Sequence, residues 1–102
     1  MPAVKEDWYP QVRQAVKLYD SRLKRKQLKK QEKREVEAVG RALEWLRNQP
    51  DGDARCLIIE LYYIRKSHNM DGAAMQAGYS RQHGYNISKI FMQKVAEYLG
   101  YL

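Results

Sequence analysis

The stretch "AAMQAGYSRQHGYNISKI", Ala73 to Ile90, decides how the chain is read. It sets Gly78 and Gly84 inside a pattern that otherwise reads as helix. Asn69 or Asp71 can cap a short helix over about 71–77. Gly78 supplies the left-handed residue that ends it without a steric penalty. Ser80 is a good N-cap for a second helix running to about Leu99. Along that helix Ile87, Phe91, Val95 and Tyr98 or Leu99 recur at helical spacing. Two helices joined by a short glycine-containing turn make a helix-turn-helix. Ala74, four residues before Gly78, is small where the helices would cross, and Ile87, nine after it, anchors the second helix on the first. Position 84 usually carries a branched apolar residue in such a motif. Glycine there lowers helix propensity by about 1 kcal/mol relative to alanine, and it lets the helices approach closely.

Upstream, "NQPDGD" (48–53) is the strongest punctuation in the sequence and splits the chain into halves of similar length. We read 1–50 as a helical N-terminal segment with a basic stretch and 51–102 as the helix-turn-helix domain. After the break, Asp53 can cap a helix over about 54–66. Leu57, Leu61 and Ile64 mark its buried face, with Ile58 and Tyr62 beside it. Before the break, Val12, Val16, Tyr19 and Leu23 form one apolar stripe, and Val36, Val39, Leu43 and Leu46 form another. The first stripe does not extend to the second, since its continuation lands on Lys26, Lys30, Lys33 and Glu37. This favours two helices, or one long bent one, over a continuous coiled coil across 11–47. Pro10 sits at or just before the start of the first helix. The fold class is therefore all-α, a helical bundle with a C-terminal helix-turn-helix.

The 102-residue chain bears a net charge of +7. Residues 1–50 hold 13 basic and 7 acidic side chains, net +6; residues 51–102 hold 6 and 5, net +1. The excess sits in "RLKRKQLKKQEKR": Arg22, Lys24, Arg25, Lys26, Lys29, Lys30, Lys33 and Arg34 against a single acid. Such a block suits phosphate attraction with counterion release, or contact with an acidic partner; its bland reading is a solvated helix face. No apolar run approaches a membrane span, and "MPAVKEDWYP" has no apolar signal core. Cys56 stands alone, inside "CLIIELYYI", and reads as a buried thiol. We expect a reduced, cytoplasmic location and no membrane association.

From about 53 to 99 the chain resembles the C-terminal DNA-binding region of sigma-70-type factors. "ARCLIIELYYI" resembles that region's helix before the motif, "MDGAAMQAGYS" its first motif helix and turn, and "SRQHGYNISKIFMQKVAEYL" its recognition helix. With its basic helical front half, the chain also looks like small phage late-gene activators of the ArpU and RinA type. It departs from the pattern at Gly84 and at "KSHNMDG", where a glycine-hydrophobic-serine approach would stand. The resemblance implies binding to double-stranded DNA, transcription regulation in a phage or prophage, and RNA polymerase as a further partner. With Ile87 and Phe91 turned inward, the motif places Arg81, Gln82, Tyr85, Asn86 and Lys89 outward. Arginine suits guanine edges, and glutamine or asparagine suits adenine. Tyr85 suits a phosphate or a thymine methyl, and Ser80 a phosphate at the helix start. His83 has two readings, facing DNA or covering the turn. One small reading helix gives limited specificity, which makes a homodimer on a palindromic site a reasonable partner state.

Other chemistry is thin. His68, His83 and Cys56 make no metal spacing. Asp51 and Asp53 flank a turn and read as turn and cap chemistry. No nucleophile has a base with an orienting acid, so we expect neither enzyme activity nor a cofactor. Tyr62, Tyr63 and Tyr98 read as core, as do Met70, Met75 and Met92, while Trp8 and Trp45 read as anchors of a helix pair. Two rival functions remain. One is a phage small terminase subunit, which a ring-sized mass would reveal. The other is a basic helical adaptor for an acidic protein, which would leave DNA unshifted at low salt.

Overall fold

A computed structural model describes residues 7–102; the six residues before them belong to the N-terminal segment and lie outside this description. The described chain is helical, with no strand. In order come α1 (Tyr9–Leu23), α2 (Lys30–Arg47), α3 (Gly52–Ile59), a π-helical turn (Glu60–Ile64), α4 (Met70–Ala77) and α5 (Arg81–Tyr98). The body measures 38 × 37 × 24 Å. Its short dimension matches two layers of helices, each about 10–12 Å across. No helix of the described residues is long and apolar enough to cross a membrane.

The break between α1 and α2 falls at 24–29, inside the basic block. No apolar stripe spans it, and α1 and α2 fold back on each other as a hairpin. On α1 the buried residues are Val12, Ala15, Val16 and Arg22, while Tyr19 is half-buried. Leu23, expected to end the stripe, is instead 54% exposed. The stripe turns by one residue because Arg22 points inward to meet Glu35 of α2. On α2 the small residues Ala38 and Ala42 are buried beside Val39 and Leu46, whereas Val36 and Leu43 are only half-covered. Alanine on the contact stripe lets backbones approach, and the Tyr19 ring lies over Gly40 on the same side.

The helix expected over 54–66 begins earlier and changes pitch partway. Asp51 precedes it in a left-handed conformation with φ 61°. Asp53 lies within the first turn and is not the N-cap. After Ile59 the backbone takes on an extra residue per turn, and the Arg65 N–H reaches the Glu60 carbonyl at 2.7 Å. The extra residue advances the buried face. Cys56, Ile58, Ile59, Leu61 and Tyr63 go inward, while Leu57 and Ile64, expected at the centre of that face, are half-exposed.

The second half of the chain follows its capping chemistry closely. Asn69 Oδ1 accepts from the Gly72 N–H at 2.8 Å and starts α4. Gly78, at φ 84°, ends it. The Tyr79 N–H returns to the Ala74 carbonyl at 2.8 Å and the Gly78 N–H to the Met75 carbonyl at 3.1 Å, a Schellman ending. Ser80 Oγ accepts from the His83 N–H at 3.2 Å and starts α5. Met70 and Met92 are core as expected, but Met75 is 75% exposed. It points to solvent, and the contact with Gly84 of α5 is made by Met70 and Ala74 instead.

Both halves share one hydrophobic core. Its fully buried large side chains include Val12 and Val16 of α1, Val39 and Leu46 of α2, Ile58 and Ile59 of α3, Met70 of α4, and Phe91, Met92 and Val95 of α5. Trp8 and Trp45 are half-buried against it, as are Tyr62 and Tyr98.

Candidate nucleic-acid interface

The outer face of α5 begins at the turn 78–80. Ile87 and Phe91 are buried, which turns Arg81, Gln82, Tyr85, Asn86 and Lys89 to solvent, with Ser80 exposed at the helix start. Arg81, Gln82, Tyr85, Asn86 and Lys89 form one face over about two and a half turns, entered at the N-cap Ser80. The only acidic residue of α5 is Glu97, near its far end. Two contacts order the face. Gln82 Nε2 donates to Asn86 Oδ1 at 3.3 Å, and Arg81 Nε lies 3.6 Å from Asp71 of α4. Both Arg81 and Asp71 are well exposed, so this pair is weak and open to exchange for another acceptor. His83 lies over the turn: its Nδ1 is 3.3 Å from Ser80 Oγ, and its ring is 5.9 Å from that of Tyr79.

The turn is tied to the break between the halves. The Tyr79 hydroxyl donates to Asp51 Oδ2, and that bond pushes the phenol pKa upward. Where α4 and α5 cross, a Cβ at Gly84 would lie 2.7 Å from Met70 Sδ and 3.1 Å from Ala74 Cβ. Gly84 is therefore the residue that permits this close approach, and Met70 fills the space that a larger residue at 84 would take.

The basic block is less uniform than its sequence. Arg22 is turned inward: its guanidinium meets Glu35 at 2.6 Å, with both side chains largely buried. Lys24 pairs with Asp20 at 3.3 Å, and Arg25 with Glu32 at 3.2 Å. The Lys29 backbone N–H, followed by Arg25, holds the Glu32 carboxyl below its ordinary pKa. Arg34 donates to Gln31 Oε1 and to the Leu99 carbonyl at 3.3 Å. That leaves Lys26, Lys29, Lys30 and Lys33, exposed and with no acidic partner among the described residues. The Arg34–Leu99 bond also fixes where the block lies. It sits at the C-terminal end of α5, about 27 Å along the helix from Arg81. The two cationic regions are thus at opposite ends of α5 rather than side by side.

A cation that sequence reasoning missed stands nearer the outer face. Arg13 of α1 shares a cleft with Tyr85 and Lys89 of α5, together with Tyr9, Tyr62, Tyr63 and Ser88. Nothing local in "QVRQAV" marks it, because its neighbourhood is made by the packing of α1 across α5. The floor of the cleft is a buried hydrogen bond of 2.7 Å between the Tyr63 hydroxyl and Ser88 Oγ. Burial pushes the Tyr63 phenol well above its usual pKa. The folded chain therefore keeps a proton that the unfolded chain gives up near pH 10. Stability from this group is complete below about pH 10 and is lost as pH rises beyond it. Tyr63→Phe is expected to cost about 1–2 kcal/mol at pH 8, because it leaves Ser88 buried without a partner. It is also expected to lessen the loss of stability between pH 9 and pH 11. Urea unfolding at the three pH values checks both effects.

Elsewhere the polar chemistry is structural. Cys56 is buried, its thiol within 3.5 Å of the Leu43 carbonyl, and burial raises its pKa. Arg41 lies 4.1 Å from the centre of the Tyr98 ring and Lys94 lies 4.5 Å from that of Trp45, stitching α2 to α5. No protein-family model matches the chain, and no curated protein or solved structure matches it significantly.

Proposed function

We propose that α4, the turn 78–80 and α5 act as a helix-turn-helix that binds double-stranded DNA with sequence preference, in transcription regulation. One observation carries this reading. The first turns of α5 present Ser80, Arg81, Gln82, Tyr85, Asn86 and Lys89 on one exposed face free of acids, set by capped helices and a left-handed glycine. A helix so presented fits a major groove about 12 Å wide. Arg81 and Asn86 would read base edges, with Asp71 releasing Arg81 on contact. Ser80 and the first N–H groups of α5 would hold a phosphate, and Tyr85 and Lys89 would flank it. Lys26, Lys29, Lys30 and Lys33 would meet phosphates further along the duplex, or an acidic partner such as RNA polymerase. A phage or prophage origin rests on the resemblance to late-gene activators, and a homodimer on the limited reach of one reading helix.

Fluorescence anisotropy with labelled duplexes tests the division of labour. Arg81→Ala is expected to relax preference at one base position, with a loss of about 1–3 kcal/mol on the preferred site. Lys29→Ala combined with Lys30→Ala is expected to weaken binding to every sequence. It would also reduce the slope of log affinity against log salt by about 1.8. If the two sets act alike on random and preferred duplexes, α5 does not read bases.

A further inference from the structure

We propose that the cleft between α1, the π-helical turn and α5 binds one nucleotide unit, with the base against the tyrosine rings and the phosphate on Arg13 and Lys89. The cleft has a volume of about 350 Å³. That is the small end of the range for ligand pockets, about 300–1,000 Å³, and suits a single nucleotide rather than a chain of them. Four of its seven lining residues are tyrosines and two are cations, and none is acidic.

Charge selects an anion for this place. Arg13 and Lys89 stand together in this cleft with no acidic partner among the described residues. Both are exposed and free to turn toward a ligand. Arginine in particular presents a planar fork that matches two phosphate oxygens. The rings select an aromatic group for the rest of the ligand. Tyr63 is buried with its ring edge to face on Tyr62 at 4.7 Å, so the ring surface on offer is that of half-buried Tyr62 and of Tyr85, which is 48% exposed. A base stacks on such rings without regard to its identity. The Tyr63–Ser88 bond closes the floor with neutral groups, so no fixed charge opposes the ring. A phosphate alone would leave the tyrosines unused, and an apolar ligand would leave two cations beside it.

This binding does not depend on the function proposed above. One consequence does: Tyr85 and Lys89 belong to both surfaces, so an occupant of the cleft and a duplex on α5 compete for them.

Titration calorimetry of the full chain, with no duplex present, tests the proposal using thymidine monophosphate, thymidine, inorganic phosphate and a four-nucleotide single strand of thymidylate. Saturable one-to-one binding of the monophosphate is expected, at least tenfold tighter than phosphate or nucleoside alone. Arg13→Gln, at an exposed position, is expected to weaken it tenfold or more while melting at the parental temperature. Tyr62→Leu is expected to weaken the nucleoside part. The tetranucleotide identifies the source: tighter binding than the monophosphate means a strand supplies the unit, and equal or weaker binding means a free nucleotide does. Absence of saturation at millimolar monophosphate overturns the proposal. So does phosphate binding as tightly as the nucleotide, or an Arg13→Gln chain that binds as the parent does.

Discussion

Glu35→Ala is expected to remove about 3 kcal/mol of stability, and to lower the melting temperature by roughly 12–24 °C. The reason lies in what remains. Arg22 Nη1 sits 2.6 Å from Glu35 Oε1, and the two side chains are only 10% and 14% exposed. The Arg22 Nε is buried with no other partner. Removing the carboxylate leaves a cation held between α1 and α2 with its hydration gone and nothing in exchange. Replacing both partners, as Arg22→Met with Glu35→Leu, is expected to return the melting temperature close to the parental value, because the desolvation cost disappears with the charges. The exposed pairs Lys24–Asp20 and Arg25–Glu32 are each worth at most about 1 kcal/mol, so breaking either should move the melt far less. Thermal unfolding followed by circular dichroism separates these cases. The double replacement also bears on DNA. If Arg22 is structural, the salt slope of duplex binding stays unchanged; if Arg22 met phosphate, the slope would fall.

Gly84→Val is expected to destabilise the chain by about 1–3 kcal/mol, although valine is the better helix former. Its Cβ would enter space held by Met70 Sδ and Ala74 Cβ, at 2.7 and 3.1 Å. Met70 is 2% exposed and cannot swing into solvent. Either α5 shifts away from α4 or Met70 takes a strained rotamer. Met70→Ala removes the obstacle but leaves a cavity when made alone. The pair Met70→Ala with Gly84→Val is therefore expected to be more stable than the sum of the single effects, with a coupling of about 0.5–3 kcal/mol. Chemical denaturation of the two single variants and the double variant measures that coupling. Strict additivity would mean that Met70 and position 84 do not share one space.

What the sequence made legible here was mainly what is local. Asn69, Gly78 and Ser80 mark ends that depend on hydrogen bonds and backbone angles within a few residues, and all three stand where those rules put them. The outward set on α5 follows from Ile87 and Phe91 by helical geometry alone. The misses share another cause. The inward turn of Arg22 depends on Glu35, which is 13 residues away, and the stripe rule prefers Leu23 because it sees only hydrophobicity. The π-helical turn at Glu60–Ile64 moves the buried face by inserting a residue, which a fixed period does not anticipate. Met75 looks like core by type, yet α4 is too short to bury more than one face. Arg13 gains its neighbours only when α1 crosses α5, so the cleft had no linear signal.

Selection of bound duplexes from a randomised pool, repeated with Asn86→Ala, reads the outer face of α5 most directly. A reading helix placed in the major groove enriches one motif with the parent chain, and Asn86→Ala then loses an adenine preference at a single position. A pool that emerges without enrichment, or a motif that Asn86→Ala leaves untouched, contradicts presentation of this face to DNA bases.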